Sequence, residues 1–259
     1  MVSAKEITLK VIPSKIANAF IKRWHYSGKF VNNSQLHFGA FLDNRLHGVM
    51  SFGCSLDKRK IMGLVKDTKW NEFLELNRMA FDNILPRNSE SRCISIAMKL
   101  LKKHAPQIKW VVSFADGTQC GDGTIYRASG FVLSGIKKNT DLVMMPDGSV
   151  THSFNLKSSI KYGSYHSLLK SGESFSSVCK RLNLKKLIGF QLRYIYFIDK
   201  SYKSKLNVPI LPFSEIEKRG AKMYLGKRPA SIDGDASNLP VGNEGDSSST
   251  AGLKAKLIN

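Results

Sequence analysis

A chain of 259 residues, 42% hydrophobic and 23% charged, is long enough to bury a sizeable core and ordinary enough in composition to be globular. Forty Lys and Arg against twenty Asp and Glu leave a net charge of +20, far more than solubility requires, which points to a polyanionic partner, nucleic acid first. No apolar run approaches the ~18 residues of a membrane span, and the N-terminus lacks a secretory apolar core, so a cytoplasmic protein without a membrane partner is expected.

Residues 6–12 alternate polar and apolar up to Pro13 and predict a strand. Ser14 is placed to cap a helix whose apolar positions are Ile16, Ala17, Phe20, Ile21 and Trp24, with Gly28 ending it. His25 and Tyr26 fall at its C-terminal end, where free carbonyls can satisfy an imidazole; on position alone His25 reads as structural. Residues 35–42 and 46–53 predict two strands joined at Asp43-Asn44-Arg45, with His37 and His47 on strand surfaces. The basic stretch 55–71 reads as a long loop able to touch phosphates.

Phe73–Phe81 predicts a strand, and a turn around Pro86 follows. Asn88-Ser89-Glu90-Ser91 opens a helix with the apolar stripe Cys93, Ile96, Ala97, Leu100 and Leu101, stopped by Pro106. Its start is either an ordinary cap or an anion site built on free backbone N–H groups. Arg78, at the strand end, can hold a phosphate or carboxylate, or else form a salt bridge to Asp82 or Glu75. Residues 110–115 predict a buried strand ending at Asp116, followed by a loop with Gly117, Gly121 and Gly123. Ile125–Ala128 is a helical turn closed by Gly130, and 131–133 begins another strand. The whole stretch from Glu75 to Gly135 therefore reads as an α/β unit with a ligand edge at its strand ends.

Val143–Met145 and Ser153–Leu156 predict a hairpin around Pro146-Asp147-Gly148. Residues 157–228 hold sixteen basic side chains against four acidic ones, with a helix over 173–182 and an aromatic strand over 193–197. Lys161, Arg193, Tyr194, Tyr196, Lys200 and Lys203 are the candidates for phosphate contact and base stacking; a sheet strand with a solvated basic loop is the even alternative for the two tyrosines. Residues 230–259, rich in Gly, Ser, Asn and Asp, predict disorder. The cysteines are scattered without a CxxC pair: Cys54, Cys93 and Cys179 read as reduced thiols, and Cys120 lies in the polar loop.

The order strand, polar turn, helix, strand, loop, short helix ending Ala128-Ser129-Gly130-Phe131, strand resembles the second half of the GNAT acyltransferase fold. The more specific wording resembles the Mom family of phage DNA-modification proteins. WHYSG at 24–28, LNR at 76–78, LPRNSESR at 85–92, SFAD at 113–116, GTIYRA at 123–128, RYIYFIDKS at 193–201 and VPILPF at 208–213 agree with it in order. The family's loop histidine is absent, Cys120-Gly121-Asp122-Gly123 standing there instead, and Asn88-Ser89-Glu90-Ser91 replaces the glycine-rich GNAT phosphate loop.

That resemblance implies an α/β (α+β) fold with a GNAT-like mixed twisted sheet and flanking helices. It also implies a catalytic core over 1–156, a basic DNA-contacting segment over 157–229 and a disordered tail. It implies a transferase converting adenine in double-stranded DNA to N6-carbamoylmethyladenine in the host cytoplasm, protecting phage DNA from restriction. His25, Tyr26, Asp116 and Tyr126 match the family's reaction centre, and Arg78 and Ser91, with Asn88 and Ser89 beside them, the cofactor contacts. Acetyl-CoA or another acyl or glycyl donor is implied, and His25, Tyr26 and Asp116 are alternatively ligands for iron. A conventional GNAT N-acetyltransferase and a non-catalytic DNA-binding protein are the other readings of the same chain.

Overall fold

The computed structural model describes residues 3–119, 121–162, 170 and 172–222. The expectations for Cys120, for the tail over 230–259 and for the side chain of Lys161 lie outside the described residues. Two compact units are present among the described residues, one of residues up to Asn139 with 189–222, the other over Thr140–Ile188.

In the first unit β1 (Thr8–Val11), β2 (Ser34–Leu42), β3 (Arg45–Gly53) and β4 (Phe73–Phe81) are antiparallel neighbours. β5 (Trp110–Asp116) lies parallel to β4, because the sixteen-residue α3 (Ser89–His104) carries the chain back to the starting edge before β5 begins. Beyond β5 comes β8 (Lys185–Phe197), antiparallel to it, and then β6 (Val132–Met144). The sheet is thus mixed, as expected, with helices on both faces.

Side-chain alternation assigns the two faces. Val49 and Ala80, opposite each other on β3 and β4, pack with Ile12 and with Ala17 and Ile21 of α1 (Ser14–Trp24). Met50, Phe52, Leu76 and Val111 point to the other face, where Cys93, Ile94, Ala97, Met98 and Leu101 of α3 recur at helical spacing and fill the larger core. Trp110, Val112, Ile195 and Phe197 return to the α1 face, further along the sheet, under Leu64 and Val65.

Two features place the site. The parallel ladder of β4 and β5 runs only from Phe73↔Trp110 to Leu76↔Ser113, after which the strands part. At the same level Ser51 pairs with Arg78 but Phe52 with Leu76, so Asn77 is an extra residue, a β-bulge. Asn77 is tied down: its side-chain oxygen accepts from Ser34 Oγ at 3.1 Å.

Several expectations are corrected. The loop over 55–71 contains a short helix, α2 (Lys58–Met62), capped by the Asp57 side chain. In the second unit the end of β6 pairs with β7 (Val150–His152), but Ser153–Leu156 is not a strand. It opens α5 (Ser153–Tyr162), whose Leu156 packs on Val143 and on Val178 of α6 (Phe175–Arg181). His37 and His47 are buried, not surface residues, because neighbouring elements give each a polar partner. His37 Nδ1 lies 2.8 Å from Ser51 Oγ, and His47 Nδ1 is 2.8 Å from Asp82 Oδ2. Cys54, Cys93 and Cys179 are free thiols, as expected, and burial pushes the Cys93 thiol up to about 12.

Candidate active site at the sheet split

Arg78 is the hub. The bulge turns its guanidinium towards the chain leaving α1, where Nε donates to the Lys29 carbonyl at 3.0 Å and Nη1 donates to the Asn77 carbonyl at 2.7 Å. Burial lowers its pKa, while the charges of Tyr26, Glu75 and Tyr126 act in the opposite direction. Those three residues therefore surround it electrostatically. Burial likewise raises the Glu75 carboxyl, against smaller opposing effects of Ser55, Asn77 and Arg78. Of the two salt-bridge partners open to Arg78 in the sequence, Glu75 is the one that interacts; Asp82 is taken by His47.

α1 ends at Trp24, and His25 and Tyr26 follow with their rings 4.2 Å apart. The Ser27 backbone N–H donates to His25 Nδ1 at 3.1 Å, and Ser27 Oγ is 2.8 Å from the same atom. A backbone amide can only donate, so Nδ1 carries no proton and the neutral ring holds its proton on Nε2. Burial, then the Arg78 charge, lower the His25 pKa to about 4. His25 is consequently a neutral hydrogen-bond donor, held by Ser27 rather than by an aspartate. Its nuclear magnetic resonance titration should have a midpoint near 4, with no protonation step near 6.5. Because the folded pKa lies below the unfolded value, His25 removes stability as pH falls from about 6.5 towards 4. His25→Gln should flatten that part of the stability profile.

Tyr126 sits on α4 (Thr124–Ala128) and is buried in an aromatic cluster, with Tyr194 at 5.2 Å and Phe131 at 5.4 Å between ring centroids. Asp116 closes β5; its carboxylate accepts from the Thr118 amide at 3.0 Å and from Gln119 Nε2 at 2.8 Å, shaping the loop that follows. Asp122 anchors the far end of that loop. It accepts from the Thr124 amide and hydroxyl and faces Arg127 at 3.4 Å, and its carbonyl accepts from the Tyr194 hydroxyl.

His25 thus touches Tyr26 and Ser27, and Arg78 acts electrostatically on His25 and with Tyr26, Glu75 and Tyr126. Ser27 is legible as a hydroxyl two residues past a histidine; nothing in the sequence marks the bulge that aims Arg78. The start of α3 is different. Asn88 adopts a left-handed conformation and makes no side-chain cap; Ser89 is buried with Oγ donating to the Pro86 carbonyl, and Ser91 Oγ donates to the Asn88 carbonyl at 3.1 Å. These hydroxyls close their own turn, and Glu90 adds a negative charge, so the residues here do not fit a pyrophosphate held by side chains.

The Arg78 charge beside His25 opposes an iron cation held by that ring. Among the described residues no three His, Cys, Asp or Glu side chains gather as metal ligands.

The proposed DNA contacts divide. Tyr194 is fully buried and cannot stack on a base, since it packs behind Tyr126 in a central strand. Arg193 donates through Nε to Ser134 Oγ at 3.0 Å and through Nη2 to the Ser134 carbonyl at 2.7 Å. Tyr196 is half-buried against Phe131, with Lys200 Nζ 4.9 Å from its ring centroid. Lys200 and Lys203 are exposed.

The protein is of the mixed α+β class, with its polar site where two parallel strands part. It belongs to the Mom protein family, whose sequence signature matches residues 6–215. A relative, methylcarbamoylase mom of Escherichia phage Mu, is 35% identical over 208 residues, spanning 80% of this chain and 82% of that one. Among solved structures, a Bacillus subtilis acetyltransferase in complex with CoA aligns with a TM-score of 0.40 at 12% identity, covering 74% of this chain and 97% of that one. The spermidine/spermine N-acetyltransferase SpeG from Vibrio cholerae, in complex with manganese ions, gives 0.42 at 9% identity, covering 78% and 98%. Likenesses this slight assign neither ligand nor activity. No helix among the described residues is long and apolar enough to cross a membrane.

Proposed function

We propose that this protein is a phage DNA-modification transferase that places a carbamoylmethyl group on the N6 amine of adenine. The observation that carries this reading is the electrostatic coupling of Arg78 to His25, Tyr26, Glu75 and Tyr126 at the sheet split of a chain carrying +20. Family membership and the name of the phage Mu relative support it.

The N6 amine is a weak nucleophile because its lone pair is delocalised into the ring, and it is paired inside a duplex. The enzyme must expose it, hold it against the donor and take its proton. In this reading the N6 nitrogen forms a bond to the donor's methylene carbon as the bond from that carbon to the leaving group breaks, while Arg78 and the Nε2–H of neutral His25 donate to the carbonyl oxygen of the carbamoylmethyl group and hold it in place. Asp116 accepts the amine proton, and Tyr126 donates to the leaving group. The donor is a small molecule of the acyl or glycyl class that already carries the carbamoylmethyl group on its leaving group, held by Arg78 rather than by the hydroxyls of Ser89 and Ser91; acetyl-CoA, which has no amide nitrogen in its acetyl group, does not supply that group by itself. The bulk positive charge attracts double-stranded DNA in the host cytoplasm.

The test is to express the protein beside a plasmid and examine the digested nucleosides by mass spectrometry. Deoxyadenosine carrying the added carbamoylmethyl mass is expected. Unmodified adenine throughout, with soluble protein present, would overturn the reading.

A further inference from the structure

The sequence expects Ile16, Ala17, Phe20, Ile21 and Trp24 to form one apolar face of α1. Of these, Ala17 and Ile21 are the buried pair, while Ile16 is 48% and Trp24 37% exposed. The outer apolar stripe lines a cleft of about 610 Å³ with Lys15, Arg23 and Leu46, within the size range of small-ligand sites.

An exposed aromatic stripe could cover a protein partner, but charge decides against that. α1 carries Lys15, Lys22 and Arg23 and no acidic residue. The Arg23 guanidinium lies over the Trp24 ring at 5.2 Å, and Lys22 over Phe30 at 5.3 Å. The one carboxylate in the cleft wall is Asp82, which is nearly buried and held 2.8 Å from His47. Cations interleaved with exposed aromatic faces suit a strand that offers phosphates and unstacked bases alternately. The stripe also has a direction: it runs about 12 Å along the helix and ends at Trp24, next to His25 and the 55%-exposed Tyr26. Tyr194, the buried tyrosine of β8, cannot supply such a platform.

We infer that the outer face of α1 is a track for an unpaired DNA strand, with Lys15 and Arg23 on its phosphates and Trp24 as the platform on which a displaced base stacks before it reaches His25 and Tyr26. This rests on DNA being the substrate and adds which face of the protein holds it and in which form. Trp24 is a positioning residue in this scheme.

The test uses the full chain, fluorescence anisotropy with a labelled single-stranded DNA oligonucleotide and its duplex, and a 2-aminopurine reporter at the target position. Trp24→Ala should weaken single-strand binding about tenfold, from the ~1–3 kcal/mol of one stacked base, and abolish the 2-aminopurine response. Trp24→Phe should restore most of both. The double variant Lys15→Ala/Arg23→Ala should weaken binding with a shallower salt dependence, by about two released counterions. Unchanged affinity and salt slope in all three variants would overturn the track. So would tighter binding of the same sequence as RNA, or a Trp24→Ala effect confined to oligomeric state in sedimentation. If these variants lose DNA binding while the wild-type protein modifies no adenine, the proposed reaction falls and the track stands. If adenine is modified equally by wild type and Trp24→Ala, the reverse holds.

Discussion

Arg78→Lys should cut adenine modification by about 100-fold or more, the scale expected when a preorganised charge-binding donor is lost. Lysine keeps the charge but not the fork. A single ammonium on a flexible stem cannot reproduce two hydrogen bonds 3.0 Å and 2.7 Å long, one to the Lys29 carbonyl and one to that of Asn77, while still facing the transferred group. Because the Lys29 contact also holds the chain that carries His25 and Tyr26, the substitution loosens two of the site's members at once. Arg78→Gln separates the charge from the geometry. With the cation gone, the His25 titration midpoint should move up from about 4, though not to 6.5, since burial is the larger cause of the depression. Modification measured on plasmid adenine and the His25 titration give the two readouts. Near wild-type activity in Arg78→Lys would show that the guanidinium is only a strut.

The second large effect is on stability. Trp110→Ala should cost about 3–5 kcal/mol, a large part of the ~5–15 kcal/mol that holds a typical domain together. Trp110 is fully buried, its ring is stacked on Phe73 at 4.6 Å and 8° between planes, and its indole N–H donates to Thr68 Oγ1 at 3.1 Å. Removing it opens a cavity at the first rung of the parallel ladder and leaves the Phe73 ring without its partner. Trp110→Phe keeps a ring against Phe73 and loses chiefly the hydrogen bond, about 1 kcal/mol. Urea denaturation of the two variants decides it: a Trp110→Ala loss under about 1 kcal/mol would mean that the site collapses around the gap, contrary to close packing.

The elements legible in the sequence were the local ones. Phe73–Phe81 matched β4 to the residue, and the hairpin at Asp43-Asn44 and the helix before Pro106 came within a residue or two. Each is written in its own periodicity and in a turn or stop beside it. What failed depends on partners distant in sequence. His37 meets Ser51 because a bulge at His47 in β3 shifts the hairpin register, and His47 meets Asp82 across the β3–β4 edge. Neither pairing is visible in a stretch of residues read alone. Tyr194 looked like a nucleic-acid platform because basic residues flank it. The structure makes it the support of Tyr126, because β8 lies between β5 and β6 and both its faces are covered. His25, Tyr26 and Arg78 were nameable from the wording of their motifs, and Glu75 was one of two partners open to Arg78; what decided between Glu75 and Asp82 was the pairing of Asp82 with His47 across the strands.

The position of β8 also bears on how the chain is made. β5 carries Trp110, Val111 and Val112, all fully buried in the finished protein, and its outer edge is covered only by residues 191–197. At ribosomal speeds of roughly 5–20 residues per second, Asp116 leaves the tunnel about 4–15 s ahead of its ladder partner Gln191. During that interval the nascent sheet ends in an apolar strand with free amides and carbonyls, a template for pairing with another chain. A message broken before codon 191 would therefore yield a sticky fragment rather than a smaller working enzyme. Yield should depend more on translation pace and chaperone supply over that stretch than on the stability of the completed fold.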